Sequence, residues 1–340
     1  MKIAQIIPSL RPTGPVNVAL DLTALLRKQK HDVCLFYFDD LEDAVDEPAM
    51  KLRITTKYNW QQFDIVHSHG LRPDLYVRLN LKHMPKTVTT IHNYVFEDLL
   101  HTYNRLISAV FGRFWNEIRT KQDCAVVLSK DMAMYYAKRT SFKRIEIINN
   151  TRIISKAISV DRQQPIKDFA SNKKIVGTVC KVTSRKGLDQ VIQFLKLNHD
   201  WVFVLVGDGD LKPLLTLANE LGVIERCFFM GYQSNGWEFI SAFDVYVIPS
   251  ISEGFPLTLI ETVQLEVPVV ASDINVFKEI FSKNEVSFFQ LYTIEALSQA
   301  INYAYTHSKV LTSNAKARFL RDYSPEKICS DYVKLYKSLV

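Results

Sequence analysis

Nowhere does this chain of 340 residues hold an apolar run approaching ~18 residues, the length a helix needs to cross a bilayer, so a membrane span is not expected. Its five cysteines, Cys34, Cys124, Cys180, Cys227 and Cys329, are scattered. They have neither metal-ligand spacing nor the spacing of a disulfide framework, and read as reduced cytosolic thiols. The opening Met-Lys-Ile-Ala-Gln-Ile-Ile-Pro-Ser is too short for a signal peptide and reads as a first strand. That strand runs into Pro-Ser-Leu-Arg-Pro-Thr-Gly14, not Gly-x-Gly-x-x-Gly, which disfavours a dehydrogenase. Repeats, low-complexity tracts and nucleic-acid-binding motifs are missing as well, and no nucleic-acid partner is expected.

What is present is the composition of a soluble globular protein, 47% hydrophobic and 23% charged, long enough for two ordinary domains. The net charge of +6 is unevenly placed, since residues 101–150 carry nine Lys or Arg against four Asp or Glu. A basic face of that kind suits an anionic membrane surface or a pyrophosphate, and a merely solvated helix face has the same composition.

Short apolar runs alternate with amphipathic stretches, which predicts βαβ units and parallel sheets. Strands are expected at 2–8, 31–38, 65–69, 86–91, 124–128 and 145–148, with a helix over 16–29. A loss of periodicity marks 152–173 as a linker. A second series then begins, with strands at 175–180, 202–206, 227–230, 245–248 and 267–271. The predicted fold class is α/β, with two Rossmann-like domains facing across a cleft. Ligands are then expected beyond the carboxyl ends of the strands. The domain boundaries read 1–155, 173–322 and, for a final amphipathic helix, 323–340.

The most informative stretch is Ser250-Ile-Ser-Glu-Gly-Phe-Pro-Leu-Thr-Leu-Ile-Glu261, which comes directly after the buried-strand pattern Ala242-Phe-Asp-Val-Tyr-Val-Ile-Pro249. Glu253 falls where a strand hands over to a loop, with its carboxylate expected to face the cleft and not the core. Gly254 permits close backbone approach or positive φ, and Pro256 suits a first helical turn. Leu257, Thr258 and Glu261 share one side of the next helix. A pair of solvated glutamates flanking a core helix has the same spacing. Upstream, Gly177-Thr-Val-Cys-Lys181-Val-Thr-Ser-Arg-Lys186-Gly187 ends a strand in a basic loop whose Lys181 and Lys186 can clamp a diphosphate.

Together these stretches resemble retaining nucleotide-sugar glycosyltransferases of family 4, which have the GT-B fold. The two glutamates match the family's E-x7-E motif, and Lys186-Gly187 its Lys-Gly, with Lys181 standing where the family has Arg. Gly207 in Val206-Gly-Asp-Gly209 matches a strand-terminal Gly-x-Gly beside the nucleotide. Gly231-Tyr232 fall where the family's backbone meets the base. In the first domain, Gly14 stands in the family's glycine-rich loop. Asp64-Ile-Val-His67-Ser-His69-Gly70 and Thr89-Thr-Ile-His92-Asn93 match its strand ends. The resemblance implies that His92 lies near the sugar's 6-position and that the last helix crosses back to the first domain. It further implies that Glu253, with Phe255, Pro256 and Leu257 beside it, positions the sugar and that Glu261 positions the ribose. Lys181, Lys186 and the amides after Gly254 would stabilise the leaving diphosphate.

Three stretches depart from the family. Glu261-Thr-Val-Gln-Leu-Glu266 lacks its terminal glycine, Asp273-Ile-Asn-Val-Phe-Lys-Glu279 lacks a Gly-Gly, and Asn149-Asn150-Thr151-Arg152 ends in Arg where the family has Asp. Asp39-Asp40 lies in an acidic surface run with Glu42, Asp43, Asp46 and Glu47, and His67-x-His69 lacks a third ligand, so no metal is expected. No cofactor is expected beyond the nucleoside diphosphate-sugar donor. The aromatic, basic stretch 94–119 suits either a membrane interface that receives a lipid-linked acceptor or a core-packing helix.

The expected activity is transfer of a hexose from a nucleoside diphosphate to a glycan or lipid-linked acceptor in surface polysaccharide synthesis. The enzyme would be metal-independent and cytoplasmic, peripheral at the inner face of the membrane. A GT-B epimerase and a non-catalytic glycan-binding subunit are the alternatives.

Overall fold

The computed structural model describes residues 1–42, 44–154 and 160–340. Asp43 of the acidic run and residue 155, the expected end of the first domain, lie outside them. The chain divides into one unit of Met1–Ile153 with Asp322–Val340 and another of Ile154–Arg321.

The first unit is built on β1 (Lys2–Ser9), β2 (Asp32–Asp39), β3 (Met50–Lys51), β4 (Ile65–His69), β5 (Lys86–Ile91), β6 (Cys124–Val127) and β7 (Ile145–Ile147). They line up in the order β3-β2-β1-β4-β5-β6-β7, and every pair is parallel. Parallel strands need crossovers, and helices laid on both faces bury the central strands on both sides; every residue of β4 is buried. Alternation then sorts the side chains. Ile3, Ile65, Val88 and Val126 pack with Leu22 and Leu26 of the helix Gly14–Lys28 and with Ile328, Tyr332 and Tyr336 of the C-terminal helix Pro325–Leu339. Ala4, Ile6 and Val66 face the other way, toward Phe36, Trp60 and Tyr76. The C-terminal helix is therefore part of the first unit.

The second unit holds β8 (Lys174–Val179), β9 (Trp201–Val206), β10 (Cys227–Phe229), β11 (Val245–Ile248), β12 (Val269–Ser272) and β13 (Ser287–Phe289). Their order is β10-β9-β8-β11-β12-β13, again all parallel. Both sheets reverse direction of winding next to their first strand, at β1/β4 and at β8/β11. Ligand sites of doubly wound sheets lie at the carboxyl ends of such strands.

The structure corrects the sequence reading in two places. Within the expected linker, Val160–Ala170 is a helix that contains Pro165. It docks through Ile166, which is fully buried, and through Gln163, whose amide donates to the Glu238 carbonyl (2.5 Å) and to Ser241 Oγ (2.8 Å). The aromatic stretch is two helices, Val95–Thr102 and Arg105–Thr120. They are separated where Asn104 caps the second by accepting from the Ile107 amide at 3.0 Å.

Candidate functional site

In the second unit the loops after β8 and β11 are joined along their length. The Ile251 amide donates to the Arg185 carbonyl at 2.9 Å. Buried Gln190 donates to the carbonyls of Gly187 (3.2 Å) and Pro249 (3.3 Å). Gly187 makes this approach feasible, since it sits at φ 61° and a Cβ there would stand 2.2 Å from the Pro249 oxygen.

The joined loops bring together Lys186 and Glu253. Lys186 Nζ lies 2.6 Å from Glu253 Oε1, Ser250 Oγ donates to the same oxygen at 2.7 Å, and Arg185 Nη1 stands 3.7 Å from Oε2. Arg185 is itself anchored by a 2.7 Å bond to the Ser252 carbonyl. Glu253 is only 6% exposed. Burial alone would raise its pKa, but Lys186 and Arg185, helped by the Ser250 hydroxyl, outweigh burial and hold it below the ordinary carboxylate value. Two cations around one carboxylate leave a net positive charge at the switch point of the sheet.

This arrangement corrects one expectation. Glu253, expected to face the cleft and not the core, is a buried, ion-paired carboxylate. The second cation beside it is Arg185, while Lys181, expected to clamp a diphosphate with Lys186, is exposed. Arg185 and Ser250 were not singled out from the sequence. The signal for Arg185 was its place next to Lys186 in one basic loop; Ser250 carried none, because its role depends on how the loop folds back.

Around this pair, Gly207 at φ 142° would place a Cβ 1.8 Å from the Cys180 oxygen, so the Gly-Asp-Gly turn is shaped by the loop after β8. The Gly207 amide donates to the Gly231 carbonyl at 2.8 Å, which links the ends of β9 and β10. Tyr232 is 43% exposed, whereas Phe255 and Glu261 are buried. Gly254 is also buried and is not among the glycines at positive φ. Pro256 is the cap of the helix Leu257–Gln264, one position ahead of the expected first turn.

Two departures from the family pattern have local explanations. Glu266 adopts φ 57°, with its amide bonded to the Val263 carbonyl (3.2 Å) and the Val267 amide to the Thr262 carbonyl (3.3 Å). This is a Schellman cap with glutamate in the position that glycine favours. Arg152, whose charge departs from the family's Asp, pairs with Asp21 at 2.5 Å within the first unit.

In the first unit, exposed Gly14 opens the helix Gly14–Lys28. His92 comes directly after β5 and is partly exposed, with Nε2 turned inward, 3.1 Å from His69 Nδ1. Burial, then His69 and Arg119, hold the His92 pKa well below the usual value. Burial lowers His67 likewise and takes His69 to about 4 against the opposite pull of Asp74. All three rings are thus neutral near pH 7. Both nitrogens of His67 and of His69 have hydrogen-bond partners. Asp39 pairs with Arg72 and Asp40 with Lys51.

The helix Arg105–Thr120 is split in character. Leu106, Val110, Phe111 and Phe114 are 50–73% exposed, along with Arg105 and Arg113. Arg119 is 1% exposed and pairs with buried Asp74 at 2.9 Å, while Trp115 Nε1 donates to the same carboxylate at 2.9 Å. Arg119 therefore belongs to the core and not to a basic surface. Among the described residues, no helix is long and apolar enough to cross a membrane.

Comparison with known proteins agrees with this architecture. Residues 12–152 match glycosyltransferase family 4, and residues 159–318 match glycosyl transferases group 1. The chain is 32% identical over 353 residues to the O-antigen biosynthesis glycosyltransferase WclY of Escherichia coli, covering 100% of this chain and 99% of the relative. It is 24% identical to the Escherichia coli UDP-Gal:alpha-D-GlcNAc-diphosphoundecaprenol alpha-1,3-galactosyltransferase, covering 100% and 97%. Among solved structures, Anabaena HepE in complex with UDP-glucose superposes with a TM-score of 0.80 at 16% identity, covering 99% of this chain and 100% of that one. With both halves matched and a full-length relative at that identity, the chain belongs to the family 4 glycosyltransferases of GT-B fold.

Proposed function

We propose that this protein is a retaining, metal-independent hexosyltransferase of surface-glycan synthesis that takes its sugar from a nucleoside diphosphate. The observation that carries the reading is the buried Glu253 held between Lys186 and Arg185 at the switch point of the second sheet. As the bond from the anomeric carbon to the diphosphate breaks, positive charge builds on the sugar and negative charge on the leaving group. Lys186 and Arg185 are set to meet the latter without reorganising, with Lys181 and the amides after Gly254 adding to them. Glu253 Oε1 is occupied by Lys186 and Ser250, which leaves Oε2 to accept from a sugar hydroxyl. Glu261 would hold the ribose, and His92 would accept from a hydroxyl of a sugar. The acceptor's oxygen bonds to the anomeric carbon on the face the diphosphate leaves, and its proton passes to the departing oxygen.

HepE, whose structure holds UDP-glucose, supports a nucleotide-sugar donor. The galactosyltransferase, whose name specifies a diphosphoundecaprenol acceptor, supports a lipid-linked one. With such an acceptor, the protein would work in the cytoplasm, with the exposed apolar row and the arginines of the helix Arg105–Thr120 against an anionic membrane surface. The test is a panel of nucleotide sugars in excess EDTA, with release of nucleoside diphosphate monitored and the product's anomeric configuration read by NMR. Acceptor-dependent release with retained configuration is expected. Isomerised donor without transfer would make it an epimerase, no turnover of any donor would make it a binding subunit, and rescue only by Mg²⁺ or Mn²⁺ would refute the metal-free mechanism.

A further inference from the structure

On the face of the first sheet covered by the C-terminal helix, same-side residues change character along each strand. Ile3 gives way to Gln5 on β1, Ile65 to His67 and His69 on β4, and Val88 to Thr90 and then His92 at the end of β5. The C-terminal helix lays two hydroxyls one turn apart over this polar end, those of Tyr332 and Tyr336. A connected network results. Tyr336 Oη lies 2.7 Å from His67 Nδ1 and 3.5 Å from Gln5 Nε2. Gln5 Oε1 is 2.9 Å from His69 Nε2, and His69 Nδ1 is 3.1 Å from His92 Nε2. A side branch runs from His67 Nε2 to Thr90 Oγ1 (2.8 Å) and on to Tyr332 Oη (3.2 Å).

Gln5, His67, His69, Thr90 and Tyr336 are fully buried, out of reach of bulk water. A neutral imidazole has one donor and one acceptor nitrogen, so the sense of each bond dictates the next. A phenol is a better donor than acceptor, and an imidazole nitrogen is the strongest neutral acceptor within its reach. Tyr336 therefore sends its hydrogen to His67 and accepts from the Gln5 amide. The Gln5 carbonyl is then turned to His69, which must carry its hydrogen on Nε2. His69 Nδ1 becomes the acceptor, and His92 must donate to it from Nε2. The Nδ1 of His92, which has no partner among the described residues, is left as the acceptor.

We propose that Tyr336 and Gln5 are positioning residues that fix His92 as its Nε2–H tautomer, so that Nδ1 accepts from a hydroxyl of a sugar ligand. The C-terminal helix thereby sets the proton polarity of a residue more than two hundred positions earlier. The role rests on the reading of His92 as a sugar contact; the tautomer does not.

The test is two-bond ¹H–¹⁵N NMR of the full-length protein labelled at histidine, with His92 assigned from a His92→Gln variant. In the wild type at neutral pH, the hydrogen of His92 is expected on Nε2. Tyr336→Phe removes the hydroxyl oxygen that accepts from the Gln5 amide and so orients Gln5, and should give a mixture of His92 tautomers, with a loss in kcat/KM of about fivefold, the scale of one hydrogen bond. Tyr332→Phe, on the side branch, should leave the His92 tautomer as it is, which a merely structural role for the two tyrosines would not predict. A wild-type His92 protonated on Nδ1 overturns the proposal, as does a tautomer unchanged in a folded Tyr336→Phe. Should that variant fail to fold, the wild-type spectrum decides alone. Normal transfer by His92→Ala would sink the sugar contact while the spectra still judged the relay.

Discussion

At the scale of single residues, the chemistry gathers on a carboxylate that two cations and a hydroxyl hold in place. Removing its charge should do two things. Glu253→Gln should abolish transfer, and it should also destabilise the second unit, because Lys186 and Arg185 lose their shared counterion in a partly buried setting. A buried pair broken on one side costs about 3–5 kcal/mol, and the partial exposure of the two cations puts this case below that range. Thermal melting and transfer rates check both effects; a variant that transfers at the normal rate would remove Glu253 from the mechanism. The places of Glu253, Lys186 and His92 after strands, and of Glu261 on the helix that follows, were legible in the sequence because apolar runs mark those strands and Pro256 marks the start of that helix. Arg185, Ser250, Gln5 and Tyr336 were not, since their roles arise from loop-to-loop and helix-to-sheet contacts that no local spacing encodes.

At the scale of elements, the apolar runs made the central strands readable. β3, with two residues, is too short to show a period. The helix Val160–Ala170 was hidden by Pro165 and by a polar composition whose docking uses Gln163 and Arg162 as much as Ile166. Backbone conformation gives one prediction here. Glu266 holds a left-handed conformation that costs a non-glycine residue about 1–2 kcal/mol. Its contact with Lys316, 3.6 Å away and largely exposed, offsets little of this. Glu266→Gly should therefore raise the melting temperature, by a gain of about 0.5–1 kcal/mol after the added freedom of the unfolded chain is counted. A lowered midpoint would contradict this reading of the cap.

The helix Arg105–Thr120 gives another. Its exposed apolar row should carry the protein onto anionic vesicles at low salt. Binding should weaken as salt rises, because exposed charges are screened over ~8–10 Å. Arg105→Glu with Arg113→Glu should reduce co-sedimentation and leave transfer to a soluble acceptor near normal. Failure to bind vesicles at low salt would assign this face to a soluble acceptor or partner. Arg119 has no place in that test, because its charge is spent on Asp74 in the core.

At the scale of the whole molecule, each unit winds a parallel sheet in both directions from its first strand and places its candidate residues at the carboxyl ends. The buried histidine cluster couples the first unit's stability to pH. Its rings hold pKa values lowered by burial, so below about 6.5 the unfolded chain binds protons that the folded unit does not. Stability should be full above that pH and fall as pH drops toward 4, with His69 alone contributing a loss on the order of 3 kcal/mol. Glu253, whose folded pKa is depressed, adds a further loss at still lower pH as it protonates. A first-unit melting midpoint that stays flat between pH 7 and 5 would contradict the neutral, buried state of these rings.

The central claim is that Lys186, poised on Glu253, reads the diphosphate of a nucleotide-sugar donor. Calorimetric titration of the wild type and of Lys186→Ala with a nucleoside diphosphate and with the bare nucleoside tests it most directly. The account predicts a loss of roughly 1.5–3 kcal/mol for the diphosphate, the scale of a charge-assisted hydrogen bond, with little change for the nucleoside. Equal losses for the two ligands, or none for either, would contradict it.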